Sequence, residues 1–359
     1  MAEMKKQSHI TLADIAGRLG VSRVTVSKAL RGHPDISDAM SKKIRRVASE
    51  LGYSPNRMAR NLSARRSHLL GLVVPKIAHF FFGSVIESVY AKALENKYET
   101  ILMVSHENEE QEIQHLQTLV SMRVDGIIIS VSARAKDTKI FEWVRQMGIP
   151  LLFMDRLPDP QPKGSTAVIV DDYGGSMKAV EQAMAAGHTS IACIGGDINV
   201  NIGRNRVQGY TDALHRHGLE VRPEWIVPGG YGTDVGYHGF MRLMEGGNMP
   251  RCIFTVTYPI ALGVYAAAKA RKVRIPEDVD VICFGDSDVG ALLTPALSCV
   301  NQPTQRLGEE SVKLIMEMID HPESVPPGNR IIPTDVIVRE TCVTTANRAL
   351  SSVLGAAGR

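Results

Sequence analysis

Residues 11–30 read TLADIAGRLGVSRVTVSKAL. Leu12, Ile15, Ala16 and Leu19 recur at i, i+3, i+4 and i+7, which predicts a short helix with that face buried. Gly20-Val21-Ser22 interrupts it, because glycine tolerates a left-handed turn and the Ser22 hydroxyl can cap a new helix. That second helix is expected from Arg23 to about Leu30, burying Val26 and Leu30. Its other face, Arg23, Val24, Thr25, Ser27 and Lys28, points outward. Two short helices joined by a tight turn, the second presenting basic and hydroxyl groups, make a helix-turn-helix able to enter a DNA major groove. A hairpin inside a helical bundle has no reason to expose such a face.

The charge distribution agrees. Residues 1–67 hold 14 Lys and Arg against 5 Asp and Glu, whereas the rest holds 27 against 33. The overall charge of +3 therefore conceals a strongly basic head on a mildly acidic body. Such a head attracts a polyanion and steers it to the helix-turn-helix.

A third helix is predicted next: Ser37 caps it, Met40, Ile44, Val47, Ala48 and Leu51 form its apolar stripe, and Gly52 stops it. After it comes the segment YSPNRMARNL (53–62), in which Pro55 and Asn56 start a helical stretch too short to be stable alone. It should order only when something packs on it. These two motifs, in this order and spacing, resemble the DNA-binding headpiece of the LacI/GalR family of bacterial transcriptional regulators.

The resemblance implies roles position by position. Arg23, Val24 and Lys28 match positions that read base edges, and Thr25 and Ser27 match positions that contact the DNA backbone. Asn56 to Leu62 match a hinge helix that folds on the operator, pairs with its dimer mate and lies in the minor groove. Leu62 matches an apolar wedge pushed into the central base step, and Arg57 and Arg60 lie near phosphates or the groove. Residues 1–55 would then be the DNA-binding domain and 56–67 the hinge and linker.

After residue 67 the texture changes. Apolar runs bounded by turn residues, at 69–75, 100–105, 126–130, 150–155, 167–172, 190–196, 252–256 and 279–286, read as strands. Helical patterns alternate with them at 83–97, 107–123, 174–187, 204–217, 259–272 and 304–320. Short strands apolar on both faces and separated by helices predict parallel sheets covered on each side. The length exceeds one compact sheet sandwich, so two α/β subdomains are expected. The resemblance implies the same: an all-α headpiece plus an α/β periplasmic-binding-protein-like core of two Rossmann-like subdomains over 68–345. Crossings near Val168, Gln302 and Ile331 would give a first subdomain of about 68–168 and 303–331. The second would take about 169–302 and 332–345, leaving 346–359 as a tail.

Several chemistries are excluded on this reading. Cys193, Cys252, Cys283, Cys299 and Cys342 show no CxxC spacing, and three sit in apparent buried strands, so they read as small core hydrophobes in a reducing compartment. The histidines form no pair at ligand spacing, and neither a metal nor a cofactor is predicted. MAEMKKQSHI lacks an apolar signal segment, and no apolar run of about eighteen residues, as a membrane span needs, is present. The expected location is the bacterial cytoplasm, at the nucleoid, without a membrane partner. No P-loop or HExxH occurs; Gly285-Asp286-Ser287-Asp288-Val289 lacks the second glycine of a nucleophile elbow, and Gly230-Tyr231-Gly232 lacks a correctly placed third glycine. No enzymatic constellation survives.

The body should instead bind a small molecule between its subdomains, at the carboxyl ends of the strands. The resemblance nominates Phe81 and Phe82 for an apolar ligand face, Asp155 as an acceptor of hydroxyls, Arg204 as the arginine that grips an effector, Tyr231 for stacking, and Gln302 at a crossover. Thr257 and Asp286 mark departures: Thr257-Tyr258 stands where the family commonly has Asn-Asp, and Gly285-Asp286 where an acidic pair is usual. Fewer groups remain to clasp sugar hydroxyls, so a sugar phosphate, sugar acid or nucleobase-like effector is favoured over a neutral hexose.

The chain thus reads as a homodimeric, effector-controlled repressor of carbohydrate-related genes, two heads matching a near-palindromic double-stranded operator. Residues 349–359, ALSSVLGAAGR, are too short and too rich in Gly and Ala for a heptad coil, which argues against coil-mediated tetramers. Whether the effector induces or corepresses stays open. The alternative, a cytoplasmic sugar-like binding protein with no regulatory DNA role, leaves the basic head unexplained.

Overall fold

The computed structural model describes residues 10–53, 66–78, 80–133 and 138–343. The chain divides into two compact units, Met1–Ser67 and His68–Arg359.

The first unit holds α1 (Leu12–Leu19), α2 (Arg23–Leu30) and α3 (Asp38–Glu50). Each start is secured by a side chain. The Asp14 carboxylate accepts the Thr11 N–H at 2.7 Å, Ser22 Oγ accepts the Thr25 N–H at 3.0 Å, and Ser37 Oγ accepts the Met40 N–H at 3.4 Å. Gly20 ends α1 with φ 64°, in the left-handed region where a side chain is disfavoured. Ile15, Ala16, Val26, Ala29, Ile44, Val47 and Ala48 form the core, while Leu30 is only partly buried against it. Ala29 takes the position facing the core on the last turn of α2.

The second unit contains two six-stranded sheets. The first comprises β1 (Leu69–Val74), β2 (Glu99–Val104), β3 (Gly126–Ile129), β4 (Leu151–Met154), β5 (Thr166–Val170) and β11 (Gly328–Ile332), in the order β11-β5-β4-β3-β1-β2, all parallel. The second comprises β6 (Ile191–Ile194), β7 (Ile226–Val227), β8 (Cys252–Thr255), β9 (Asp280–Phe284), β10 (Ser298–Asn301) and β12 (Asp335–Ile337), in the order β12-β10-β9-β8-β6-β7. Among these described strands, only β12 runs antiparallel to its neighbour.

Helices α4 (Phe80–Glu95), α5 (Glu109–Ser121), α6 (Lys139–Gln146) and α11 (Thr304–Asp320) cover the first sheet. Alternate residues of one strand feed two cores: Leu70, Leu72 and Val74 of β1 pack with α4 and α11, whereas Val73 packs with α5 and α6. Helices α7 (Asp172–Ala185), α8 (Asn201–Arg216), α9 (Thr233–Glu245) and α10 (Tyr258–Arg271) serve the second sheet. A Cβ on Gly263 of α10 would strike the Thr233 carbonyl oxygen, so glycine there lets α9 and α10 meet backbone to backbone. The chain passes between sheets at Asp171, at Gln302-Pro303 and at Pro333-Thr334, each just past a strand end.

Candidate nucleic-acid interface and ligand cleft

On α2, Val26 and Ala29 turn inward, which leaves Arg23 and Val24 exposed and Thr25, Ser27 and Lys28 half-buried around the same outer face. Val24 is 64% exposed, an apolar side chain that no packing accounts for. A methyl-bearing side chain at the start of such a helix suits contact with a thymine methyl, and Arg23 suits guanine O6 and N7. Lys28 Nζ contacts Asp35 Oδ2 at 2.7 Å, and that bond together with His33 holds the Asp35 carboxyl below its ordinary range. Asn56, Arg57, Arg60 and Leu62 lie outside the described residues.

A cleft of about 550 Å³ opens between the two subdomains of the second unit, within the range of sites for small organic ligands. Its walls come from the carboxyl ends of strands, where backbone turns leave side chains free of the sheet. Asp155 follows β4, Thr257 follows β8, Gly285 and Asp286 follow β9, and Gln302 follows β10. Phe81, Phe82, Asp155, Tyr231, Thr257, Asp286 and Gln302 are therefore brought together in one cleft.

Arg204 is not. Its Nη1 meets Asp159 Oδ2 at 2.9 Å on the exposed side of α8, and it does not line the cleft. Helical phase explains the displacement. The buried stripe of α8 includes Ile202, Arg206, Tyr210 and Ala213, so Arg206 faces inward and Arg204 outward.

Arg206 is 2% exposed and fully engaged: Nε donates to Asp172 Oδ1 at 2.8 Å, Nη1 donates to the Val256 carbonyl at 2.7 Å, and its guanidinium lies 3.9 Å over the Phe284 ring. Burial pushes the Asp172 carboxyl up to about 7, against the pull of Arg206. A second arginine, Arg156, was not nominated by the sequence. It directly follows Asp155, and a charge just past an apolar strand end was the available signal. Arg156 Nη1 donates to Glu107 at 2.8 Å, its guanidinium lies 5.2 Å from the Tyr231 ring centre, and its buried Nε has no hydrogen-bond partner among the described residues.

Asp155 is buried and adopts φ 64°, a left-handed conformation that is uncommon for non-glycine residues. Burial raises its carboxyl pKa, while Arg156 and Arg206 pull the other way. Asp286 behaves oppositely: burial is the largest single influence and pushes it up, but hydrogen bonds from Arg339, at 3.0 and 2.7 Å, together with those from the Ser287 N–H and Cys299 and the Arg339 charge, leave it below its ordinary value. Aromatic faces come from both sides, with Phe80 and Tyr258 meeting edge to face at 6.0 Å. Asn201 ties the subdomains together by donating to the Asp155 carbonyl at 3.0 Å and accepting the Leu157 N–H at 2.9 Å.

Among the described residues, no helix is long and apolar enough to cross a membrane. Residues 11–56 match the family described as bacterial regulatory proteins, lacI family, and residues 180–342 match the periplasmic binding protein-like domain. The chain is 30% identical over 319 residues to the "Probable HTH-type transcriptional repressor ExuR" of Bacillus subtilis (strain 168), spanning 88% of this chain and 93% of that protein. It is 27% identical over 339 residues to the HTH-type transcriptional repressor CytR of Escherichia coli (strain K12), spanning 94% and 98%. Both relatives are named as repressors, not as enzymes. A crystal structure of the Lac repressor dimer bound to operator and the anti-inducer ONPF shares the fold, with a TM-score of 0.83 at 24% identity over 94% of this chain and 100% of that one. The chain belongs to the LacI family of bacterial regulatory proteins and is a DNA-binding transcriptional regulator of that type.

Proposed function

We propose that this chain is a cytoplasmic, non-enzymatic repressor of carbohydrate-related genes, acting as a homodimer on a near-palindromic operator and controlled by a sugar acid or sugar phosphate. Arg23, Val24 and Lys28 read base edges, and Thr25 and Ser27 contact the DNA backbone. Asn56, Arg57, Arg60 and Leu62 supply the minor-groove hinge.

The observation that carries the ligand class is Arg156. Its Nε is buried at the cleft wall with no hydrogen-bond partner among the described residues, and a buried donor of this kind favours an anionic acceptor supplied by the ligand. Two of the cleft acids are already engaged by arginines: Glu107 is held by Arg156 and Asp286 by Arg339. Asp155 accepts a ligand hydroxyl, Gln302 and Thr257 add polar contacts, and Phe81, Phe82 and Tyr231 supply apolar faces for the ring. A ligand touching both subdomains biases the angle between them. Coupling of this type is typically about 1–3 kcal/mol, roughly a 5–150-fold change in operator affinity.

The test is a thermal-shift screen of neutral hexoses, sugar phosphates and sugar acids, repeated with Arg156→Gln. The largest stabilisation is expected from an acidic sugar and is lost in the variant. A neutral hexose giving the largest shift, undiminished in Arg156→Gln, refutes the ligand class while leaving the DNA-reading role intact.

A further inference from the structure

At the amino ends of the second sheet's strands, away from the cleft, four side chains from four segments converge. His188 lies between α7 and β6, Cys252 opens β8, Asp280 opens β9, and Cys342 lies beyond β12. The Sγ atoms of Cys252 and Cys342 stand 3.7 Å apart. One donor atom each from His188, Cys252 and Cys342 falls within 4.8 Å of the other two. Both thiols are fully buried, whereas the His188 side chain keeps 15% exposure.

Asp280 organises the group. Its Oδ2 lies 2.9 Å from His188 Nε2, and its two oxygens accept the Cys342 N–H at 2.9 and 3.0 Å. Cys342 is held at φ 47°, a conformation that costs energy for a non-glycine residue and persists only where its surroundings impose it.

The chemistry of the donors selects among ligands. Two thiolates on one tetrahedral zinc, each about 2.3 Å from the metal, stand about 3.8 Å apart, close to the separation found here. A disulfide requires about 2.05 Å and uses neither the imidazole nor the carboxylate. Soft thiolates with imidazole select zinc over magnesium or calcium, and a carboxylate hydrogen-bonded to the histidine ring is the usual support for a metal-ligating imidazole.

We propose that Cys252, Cys342 and His188 bind a zinc ion, with Asp280 orienting the His188 ring. Binding releases the two thiol protons to solvent. The ion ties the segment around Cys342 to the start of β8 and so stabilises the second subdomain. This inference is independent of the ligand class assigned to the cleft.

The full chain, purified in reductant and stripped with chelator, is dialysed against zinc alone and assayed for metal. About one zinc per chain is expected, with a rise in Tm of roughly 5 °C at hundredfold excess over the dissociation constant. Cobalt alone should give a near-ultraviolet thiolate-to-metal charge-transfer band. Cys252→Ser and Cys342→Ser each lose the metal and the band, whereas Cys193→Ser keeps both. Operator binding by each variant shows that it is folded. In the wild type, zinc protects Cys252 and Cys342 from alkylation, a readout that requires no variant. Substoichiometric zinc, retention of zinc by both serine variants, or a Cys252–Cys342 disulfide with no bound metal in protein isolated without reductant would each overturn the proposal.

Discussion

Arg204 of α8 and Asp159 of the loop after β4 join the two subdomains through a 2.9 Å ion pair on the exposed side of the helix. Their side chains are 47% and 58% exposed, and pairs so hydrated contribute about 0–1 kcal/mol. Arg204→Ala is therefore expected to lower Tm by no more than about 3 °C and to leave ligand preference unchanged. Thermal shift with and without the preferred ligand checks this. A loss of ligand response as complete as that in Arg156→Gln would contradict the assignment of Arg204 to the boundary.

The other arginine of the same helix is a different case. Arg206 and Asp172 are both essentially inaccessible to water, and removing one partner leaves a charge buried without its counter-ion. Asp172→Ala should cost about 3–5 kcal/mol, read as a lower urea midpoint with an unchanged denaturant slope. A change below about 1 kcal/mol would show that water reaches the pair.

Glu112 of α5 is buried, and its carboxylate accepts the Ser132 N–H at 2.7 Å. Burial pushes its pKa up to about 7, with Glu107 and Glu109 adding to the rise and the Ser132 bond opposing it. A folded-state pKa above the unfolded one means that the folded chain binds more protons. The stabilisation is fully present below the ordinary carboxylate range and is lost as pH rises through 7. Glu112→Gln keeps an acceptor for Ser132 without the charge. It should be more stable than the wild type at pH 8, by about 1–3 kcal/mol, and the gap should close towards pH 5. Parallel stability–pH curves would disprove the ionisation.

On α2, Arg23→Ala should cost about 1–3 kcal/mol on the operator and relax preference at one symmetric position per half-site. Selection from randomised DNA reads the outcome directly. An unchanged motif would remove Arg23 from the base-reading set.

The headpiece and most strands of the two sheets were legible because their signals are local. A buried helix face repeats within a few residues, as in Leu12, Ile15, Ala16 and Leu19, and a strand covered on both sides is a continuous apolar run, as in β1 and β9. Four strands lack that signal: β10 is internal and buried but is the short Ser298–Asn301 with polar ends, and β7, β11 and β12 lie at sheet edges. Gly328, Asn329 and Ile331 of β11 are exposed, β7 has only two residues, and β12 is only partly buried, so none stood out. Helices α6 and α9 were missed too; α6 is short, and α9 begins in the Gly- and Asp-containing stretch 229–236 that read as a loop.

The amino-acid sequence by itself determined a helix-turn-helix on a basic head, parallel sheets in the body, and positions just past strand ends from which a cleft is built. Tertiary structure alone decided which arginine of α8 faces that cleft. Arg204 and Arg206 differ by two positions, but about 3.6 residues per turn send them to opposite environments once α8 docks on its sheet. It also decided the meeting of His188, Cys252 and Cys342, since residues so far apart in the chain are brought together by strand order rather than by any spacing along it.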